Sequence, residues 1–236
     1  NRHKLHKEEK QMKRSEINSA IIKAKERLAE YKISLPMFGY WTPEDVKENK
    51  CKISRIKERM LGWDVTDFAT GKFEEIGLTL VTIRNGNVKY DNKTYCEKIM
   101  FVRENQVTPT HFHWKKMEDI INRGGGNCLI RVYNSLPNEE IDYESDVTVH
   151  MDGRTYTVPA GTQVRLTPGE SIHVQQYLYH DFSVEEGTGP VLLGEVSQCN
   201  DDNTDNRFNP PVGRFPAIEE DEAPYRLLCN EYPAAE

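Results

Sequence analysis

A set of potential metal ligands lies in and after the stretch HFHWKKMED, residues 111–119. His111 and His113 are separated by one residue, so on a β-strand both imidazoles leave the same face. Glu118 follows five residues after His113, and the best downstream candidate for a further ligand is His180 in QQYLYHDF. Imidazole nitrogens and a carboxylate oxygen suit a divalent transition metal such as Mn, Fe, Co, Ni or Zn. We therefore predict a metal site built from these four side chains.

The composition is that of an acidic globular chain. Its 236 residues carry a formal net charge of −7, and residues 1–14 hold six Lys or Arg against two Glu, so the remainder stands at −11. The acidic remainder argues against a nucleic-acid partner, and we expect the basic arm to be a solvated helical start. No window approaches the ~20 apolar residues of a membrane span, and the first residues lack a secretion signal. Five scattered cysteines without a CxxC indicate reduced thiols and a cytoplasmic protein.

Residues 1–61 are predicted to form a helical cover. Apolar side chains recur at three-to-four spacing across residues 15–33, which is typical of an amphipathic helix. Thr42 and Pro43 then begin a second helical stretch over residues 43–61, since a hydroxyl cap followed by proline marks a helix start. We expect these helices to cover a sheet.

Residues 62–198 change to a period of two and predict around ten short strands with Gly and Pro punctuation. Asn85-Gly86 and Asp152-Gly153 are hairpin signals, and MEDIIN, residues 117–122, is interpreted as a short helical turn. The irregular, proline-rich residues 199–236 are expected to pack over the barrel. The prediction is a single, mainly β domain, a β-barrel or jelly roll with N-terminal helices covering it.

The spacing HxH–x4–E with Gly125 beyond it resembles the first motif of the cupins, and His180 lies where their second motif supplies a histidine. Two glycine positions of these motifs fall at Asn105 and Tyr177. A closer resemblance is to the D-lyxose ketol-isomerases, a cupin subfamily of bacterial sugar isomerases. It is carried by the strings FGYWTPED, VTPTHFHWKKMEDIINRGGGN, PGESI, LYHDF, GEVS and NDDNTDNRF. The resemblance implies a cupin barrel, a Mn²⁺-preferring site, a homodimer, and interconversion of D-lyxose with D-xylulose and of D-mannose with D-fructose.

Such an isomerisation moves a hydrogen between C1 and C2, and a divalent ion on the sugar oxygens would stabilise the enediolate charge. Four protein ligands leave two adjacent positions on an octahedral ion, enough for two sugar oxygens. Lys116, in the turn before Glu118, could donate to the enediolate oxygen, helped by a pKa lowered near the metal. Lys98 on the preceding strand could point into the barrel and bind substrate. Either lysine could instead be a solvated surface residue.

Because Glu118 is committed to the metal, another carboxylate is the better general base. Glu195, at the end of the apolar run VLLGEV, is the first candidate, although a salt-bridged strand end would look the same. The string NDDNTDNRF matches the family, and its Asp205 and Arg207 are candidate substrate contacts because short acids and a guanidinium suit sugar hydroxyls. The same string could form a turn stabilised by side-chain caps.

The residues alone leave two other functions open. A cupin Fe(II) dioxygenase uses the same three-His, one-Glu set, but it usually has an apolar substrate pocket, whereas the lysines, acids and arginine here favour a polyol. A non-enzymatic sugar-binding cupin would need neither Lys116 nor Glu195. A TIM-barrel hydrolase is disfavoured because residues 62–196 lack repeated βα alternation.

Overall fold

The computed structural model describes residues 11–87, 89 and 92–234. The predicted basic arm therefore lies largely outside the described residues. The helices are α1 (Arg14–Glu30), α2 (Pro43–Glu48) and α3 (Ser54–Glu58), with 3-10 helices at Met37–Tyr40 and Lys50–Lys52. The strands are β1 (Met12–Lys13), β2 (Gly62–Thr66), β3 (Leu78–Asn85), β4 (Tyr95–Val102), β5 (His111–Phe112), β6 (Glu118–Gly125), β7 (Cys128–Ser135), β8 (Ile141–Asp142), β9 (Val147–Met151), β10 (Arg154–Val158), β11 (Gln163–Leu166), β12 (Ser171–Val174), β13 (Tyr179–Val184), β14 (Val191–Gln198), β15 (Arg207–Phe208) and β16 (Ile218–Glu219).

Two antiparallel sheets form the barrel. The larger has the order β10-β9-β12-β6-β14-β4-β3-β2, and the smaller has the order β11-β7-β13-β5-β15. Alternate side chains of both sheets point inward and make the main core, whose members include Leu80, Met100, Ile120, Ile130, Val132, Phe182 and Leu193. The predicted mainly β barrel with N-terminal helices against it is confirmed, and its antiparallel sheets rule out the parallel strands of a TIM barrel.

Helix α1 covers the outer face of the larger sheet. Ile17, Ile21, Ala24 and Leu28 of α1 are buried in a second apolar cluster with Trp63, Val65, Val81, Phe101 and Leu192 of the sheet. The predicted cap is present, because the Thr42 hydroxyl accepts the N–H of Asp45 while the Asp45 carboxylate accepts the N–H of Thr42. Among the helices that the structure describes, none is long and apolar enough to cross a membrane.

The prediction of a helical turn at residues 117–122 is wrong. Strand β6 runs through this stretch and pairs with β12 on one side and β14 on the other. Its burial alternates, with Glu118, Ile120 and Asn122 buried and the residues between them partly exposed. Pairing on both edges supplies the backbone hydrogen bonds, so tertiary context overrides the local helical pattern.

The two hairpin signals have different outcomes. Asp152-Gly153 joins β9 to β10 with φ of 48° and 75°, as a primed two-residue turn requires. Asn85-Gly86 does not form such a turn, although β3 and β4 are antiparallel neighbours, because the connection extends to residue 94. The Asn85 side chain instead accepts the N–H of Asn200 at 3.0 Å and donates to its carbonyl at 2.9 Å.

The backbone has positive φ at the two positions where the sequence departs from the glycines of the cupin motifs. Asn105 has φ of 64° and Tyr177 has φ of 60°, both in the left-handed region. Asparagine tolerates this region, whereas a bulky tyrosine is an outlier there and must be held by its surroundings. Its N–H donates to the carbonyl of His113 at 3.0 Å, so the second motif is fastened directly to the first.

The C-terminal segment crosses the barrel and returns to the N-terminus. Strand β15 pairs with β5, with Phe208 opposite His111, and β16 pairs in parallel with β1. Farther on, Leu228 is fully buried and the N–H of Cys229 donates to the carbonyl of Trp63 at 2.7 Å. The segment therefore contacts both the strand that carries the first histidine and the first strand of the described chain.

Candidate active site

The proposed ligands converge from both sheets. Strands β5 and β13 place His180 opposite His111 in the smaller sheet, while β6 brings Glu118 from the larger sheet. One ring nitrogen from each of His111, His113 and His180 lies within 4.8 Å of the others. Glu118 Oε1 lies 3.0 Å from His180 Nε2 and 3.5 Å from His113 Nε2. The structure thus brings together all four residues that the sequence nominates.

The outward ring nitrogen of each histidine is held by the backbone. The Nδ1 atoms hydrogen-bond to carbonyls: His111 to Pro109 at 2.8 Å, His113 to Asp205 at 2.6 Å and His180 to Leu178 at 3.0 Å. A carbonyl can only accept, so each Nδ1 carries a proton, and a neutral imidazole then keeps a bare lone pair on Nε2. Fixing the tautomer in this way is how proteins orient histidine ligands of metals.

The polar atoms facing one another here fit a cation. His180 Nε2 is buried and has no hydrogen-bond partner among the residues that the structure describes, yet it faces a carboxylate oxygen of Glu118. Two lone pairs 3.0 Å apart repel unless a positive charge lies between them. Three imidazoles and one carboxylate are a donor set for a divalent transition metal.

The protonation states agree with this fit. Burial lowers the pKa of His111 well below its usual value, with a further contribution from His180, and burial likewise lowers the pKa of His113, helped by Lys116. Burial alone would raise the pKa of Glu118, but Lys116 and His113 outweigh it and hold that pKa well below its usual value. Neutral imidazoles and an ionised carboxylate are the forms that bind a metal.

A buried charged cluster adjoins the ligands. Lys116 Nζ lies 2.7 Å from Glu118 Oε2 and 2.9 Å from Glu195 Oε1, and Lys98 Nζ lies 3.2 Å from the same Glu195 oxygen. Lys98 and Glu195 are direct partners on β4 and β14, so both extend from the inner face. Burial lowers the pKa of Lys116, but without a metal ion Glu118 and Glu195 outweigh this and raise the pKa well above its usual value. The lowered pKa expected beside a bound ion stays a prediction.

The charged cluster and the ligands border a narrow cavity of about 50 Å³. Its apolar wall is made of Phe68, Leu78, Leu80, Met100, Phe182 and Phe208. Four further polar residues line it, Thr108, Asp202, Asn206 and Arg214. Arg214 bonds to Asp64 at 2.5 Å and to Asp202 at 3.3 Å. Arg214 was missed by the sequence reasoning, although a buried acid in the strand GWDVT calls for a cation somewhere in the fold.

The two predicted contacts from NDDNTDNRF are placed elsewhere. Asp205 lies beneath residues 113–118, which we call the metal-ligand turn. Its carboxylate accepts the N–H groups of Lys115 and Lys116 at 2.9 and 3.1 Å. Arg207 faces outward and pairs with Glu140 at 3.1 Å. Neither is among the described residues that line the cavity. Their positions give no support to a direct substrate contact.

Comparison with known proteins gives close relatives over most of the chain. The profile of a family described as D-lyxose isomerase matches residues 12–232. D-lyxose/D-mannose isomerases of Escherichia coli O157:H7 and Serratia proteamaculans are each 46% identical over 224 residues, which is 94% of this chain and 98% of theirs. Among solved structures, an Acinetobacter sp. DL28 L-ribose isomerase in complex with L-ribose has a TM-score of 0.60 at 14% identity, covering 89% of this chain and 99% of that chain. At that identity the likeness concerns the fold.

Proposed function

The chain belongs to the D-lyxose isomerase family and is therefore a sugar isomerase, and we propose that it interconverts D-lyxose with D-xylulose and D-mannose with D-fructose by metal-dependent proton transfer. The observation that carries the metal-dependent mechanism is the buried set of three bare Nε2 atoms and one carboxylate, which lies next to the pair formed by Lys116 and Glu195. In this proposal His111, His113, Glu118 and His180 hold one divalent ion.

We also propose that the ion is Mn²⁺, with Co²⁺, Fe²⁺, Ni²⁺ and Zn²⁺ as alternatives that the same donor set accepts. A homodimer and a cytoplasmic location complete the proposal. Within the described residues none of the five cysteines forms a disulfide, which supports a reducing compartment. Light scattering on the purified protein tests the homodimer.

The metal, when bound, supplies Lewis-acid stabilisation of negative charge on two neighbouring sugar oxygens. The chain's own residues move the protons. Glu195 is the proposed base that takes the C2 proton of the aldose and returns it to C1, because its carboxylate lines the cavity next to the ligands. Lys116 is the proposed donor to the oxygen that becomes negative, because its Nζ lies beside the ligands and 2.9 Å from Glu195 Oε1. Lys98 holds the same Glu195 oxygen from the neighbouring strand.

We propose that the sugar hydroxyls contact Asp202 and Arg214, whose polar groups reach the cavity from the C-terminal segment. A carboxylate and a guanidinium together offer acceptors and donors for adjacent hydroxyls. The isomerase is favoured over the dioxygenase and the non-enzymatic alternatives because the cavity has, besides its apolar side, a charged wall of Lys98, Lys116 and Glu195. Such a wall suits a polyol undergoing proton transfer.

Metal removal tests the proposal. The protein is stripped of metal, each divalent ion is returned separately, and ketose formation from D-lyxose and D-mannose is measured. We expect no turnover in the metal-free protein and the highest turnover with Mn²⁺. His113→Ala should lose both bound metal and activity, whereas the matched His173→Ala should keep both, since His173 lies on the other face of the sheet and pairs with Asp119.

Two outcomes would count against the proposal. Absence of ketose with every ion and both sugars would contradict the function. A stoichiometric ion still held in the same site of His113→Ala would contradict the assignment of the ligands.

A further inference from the structure

The cavity is too small for the sugar that the proposed function requires. It offers about 50 Å³, whereas small-molecule sites usually offer at least ~300 Å³. A second, outer groove of about 470 Å³ lies on the protein surface and shares Lys116 and Asp202 with the cavity. Residues 200–206, which we call the strap, contribute to both linings and form the wall between them.

The middle of the strap is a turn organised by Asp201. Asp201 accepts the N–H of Asn203 at 3.1 Å and the hydroxyl of Thr204 at 2.7 Å, and its carbonyl accepts the N–H of Asp205 at 3.0 Å. Asp201, Asn203 and Thr204 are exposed, whereas Asp202 is tied to the cavity by its pair with Arg214 at 3.3 Å. The bonds of Asp201 are internal to the strap, so movement of the strap keeps them and breaks the pair of Asp202 with Arg214.

The ends of the strap are fastened to the site itself. Asn200 Oδ1 accepts from Lys98 Nζ at 2.8 Å and from Lys116 Nζ at 3.0 Å. At the other end, Asp205 is 2% exposed and holds three groups of the metal-ligand turn. Its carboxylate accepts the N–H groups of Lys115 and Lys116, and its carbonyl accepts Nδ1–H of His113 at 2.6 Å. One residue thus touches both a proposed metal ligand and the backbone of the proposed proton donor.

We propose that Asp205 is a positioning residue that latches the strap, so that the strap opens to join cavity and outer groove for sugar entry and the site is complete only when it closes. The inference rests on the proposed function. Closure orients His113 through the Asp205 carbonyl and sets the backbone of Lys116 through its carboxylate. Opening releases both, which couples substrate entry to the arrangement of the ligands.

The test compares Asp205→Asn with Asp142→Asn. An amide keeps the size of Asp205 and one accepting oxygen, but its NH2 group faces a backbone N–H that had been accepted. Asp142→Asn makes the same chemical change outside the strap, because the Asp142 carboxylate accepts the N–H groups of Glu144 and Ser145 at 2.9 and 3.1 Å. Three quantities are measured: Mn²⁺ affinity of the metal-free protein without sugar, kcat and KM for D-lyxose, and amide hydrogen exchange of the peptide 200–208.

For Asp205→Asn we expect Mn²⁺ affinity and kcat each to fall on the order of 10-fold, the lower end for an outer partner of a metal ligand, and exchange in the strap to accelerate. Asp142→Asn should leave affinity, kcat and exchange in the strap unchanged. In the wild-type protein, an equilibrium mixture of D-lyxose and D-xylulose should slow exchange of the strap. This measurement needs no variant, so it decides the question of opening even if Asp205→Asn fails to fold.

If Asp205→Asn bound Mn²⁺ and exchanged its strap amides as the wild-type protein does, Asp205 would not be a latch. If the sugar mixture left the exchange of the wild-type strap unchanged, the strap would not open for the sugar. Failure of the proposed function looks different. There the wild-type protein itself would bind no stoichiometric Mn²⁺ or form no ketose.

Discussion

At the scale of single residues, the site depends on which atoms carry protons. Three backbone carbonyls fix the proton of each histidine on Nδ1, and burial keeps the pKa of His111 and His113 low. The Nε2 lone pairs of His111 and His113 are consequently available at neutral pH without competition from protons. Glu195, in contrast, faces two ammonium groups and stays outside the ligand set, which leaves it for proton transfer.

Glu195→Gln should lower kcat by on the order of 10²–10⁴, the usual contribution of a positioned acid or base, while the bound metal is retained. The matched control is Glu97→Gln on the neighbouring strand, because Glu97 pairs with Arg84 on the outer face and is 37% exposed. In D2O, the wild-type enzyme should place deuterium on the product carbon. Steady-state kinetics, metal analysis and mass spectrometry of the product provide the three measurements.

A hydride shift between C1 and C2 would need no base. Complete retention of the substrate hydrogen together with near-normal turnover of Glu195→Gln would therefore contradict proton transfer by this residue. Loss of metal from Glu195→Gln would instead place the residue among the ligands.

The metal-free protein should lose stability as the pH falls below 6.5, the ordinary pKa of histidine. Because burial first of all lowers the pKa of His111 and His113 in the folded state, the unfolded chain binds protons in this range while the folded protein does not. Glu118 acts in the same direction at lower pH, since its depressed pKa contributes stability above 4.5 that is lost on acidification. Urea unfolding of the stripped protein at pH 8, 6.5 and 5 measures this, and an unchanged free energy of unfolding would contradict it.

At the scale of elements, strand β6 connects the site to the far end of the barrel. It begins with the proposed ligand Glu118 and ends with Gly124 and Gly125, where it pairs with β14 through an irregular register. Gly125 has φ of 91°, and a Cβ added there would lie 2.2 Å from the carbonyl oxygen of Pro190. Glycine is therefore required at position 125 for two reasons, its positive φ and the close approach of the Pro190 backbone.

Gly125→Ala should destabilise the fold more than Gly153→Ala. Both residues have positive φ, but at Gly153 no described heavy atom lies within 4 Å of an added Cβ, so that variant has only the conformational cost of about 1–2 kcal/mol. The clash at Gly125 should add about 1–3 kcal/mol, the usual range for overpacking. Equilibrium urea unfolding of both variants isolates the steric contribution, and equal losses would show that the backbone of Pro190 moves away freely.

At the scale of the whole molecule, the two ends of the described chain meet. Arg14 at the start of α1 is 1% exposed and pairs with Glu220 at 2.6 Å and with Glu231. The C-terminal segment that contributes Asp202 and Arg214 to the cavity is thus anchored on the helix that covers the larger sheet. Changes at this junction should reach the site through that segment.

Arg14→Ala should lower the free energy of unfolding by about 3 kcal/mol, the lower end for breaking a buried ion pair, because Glu220 is 56% exposed and is partly screened by water. Arg27→Ala is the matched control on the same helix. Its exposed pair with Glu30 should contribute less than ~1 kcal/mol. Urea unfolding of the metal-loaded variants measures both, and a loss at Arg14 no larger than at Arg27 would show that the junction is not coupled to global stability.

The local pattern of the sequence was enough to predict most of the strands, one turn and the proposed metal ligands. The period-two stretches became strands and Asp152-Gly153 became its predicted turn, because both depend on neighbours in the chain. The spacing of His111, His113 and Glu118 was equally informative, since a strand and the following turn place those side chains within reach of one another. The backbone is also left-handed at Asn105 and Tyr177, the positions at which the cupin motifs have glycine.

Only the tertiary structure decided what depends on distant partners. Residues 117–122 form a strand because β12 and β14 flank them. Asp205 supports the ligand turn, and Arg214 enters the cavity, because the C-terminal segment crosses the barrel. None of these contacts has a local signal in the chain, since hydrogen bonding and desolvation act between residues that sequence spacing leaves far apart.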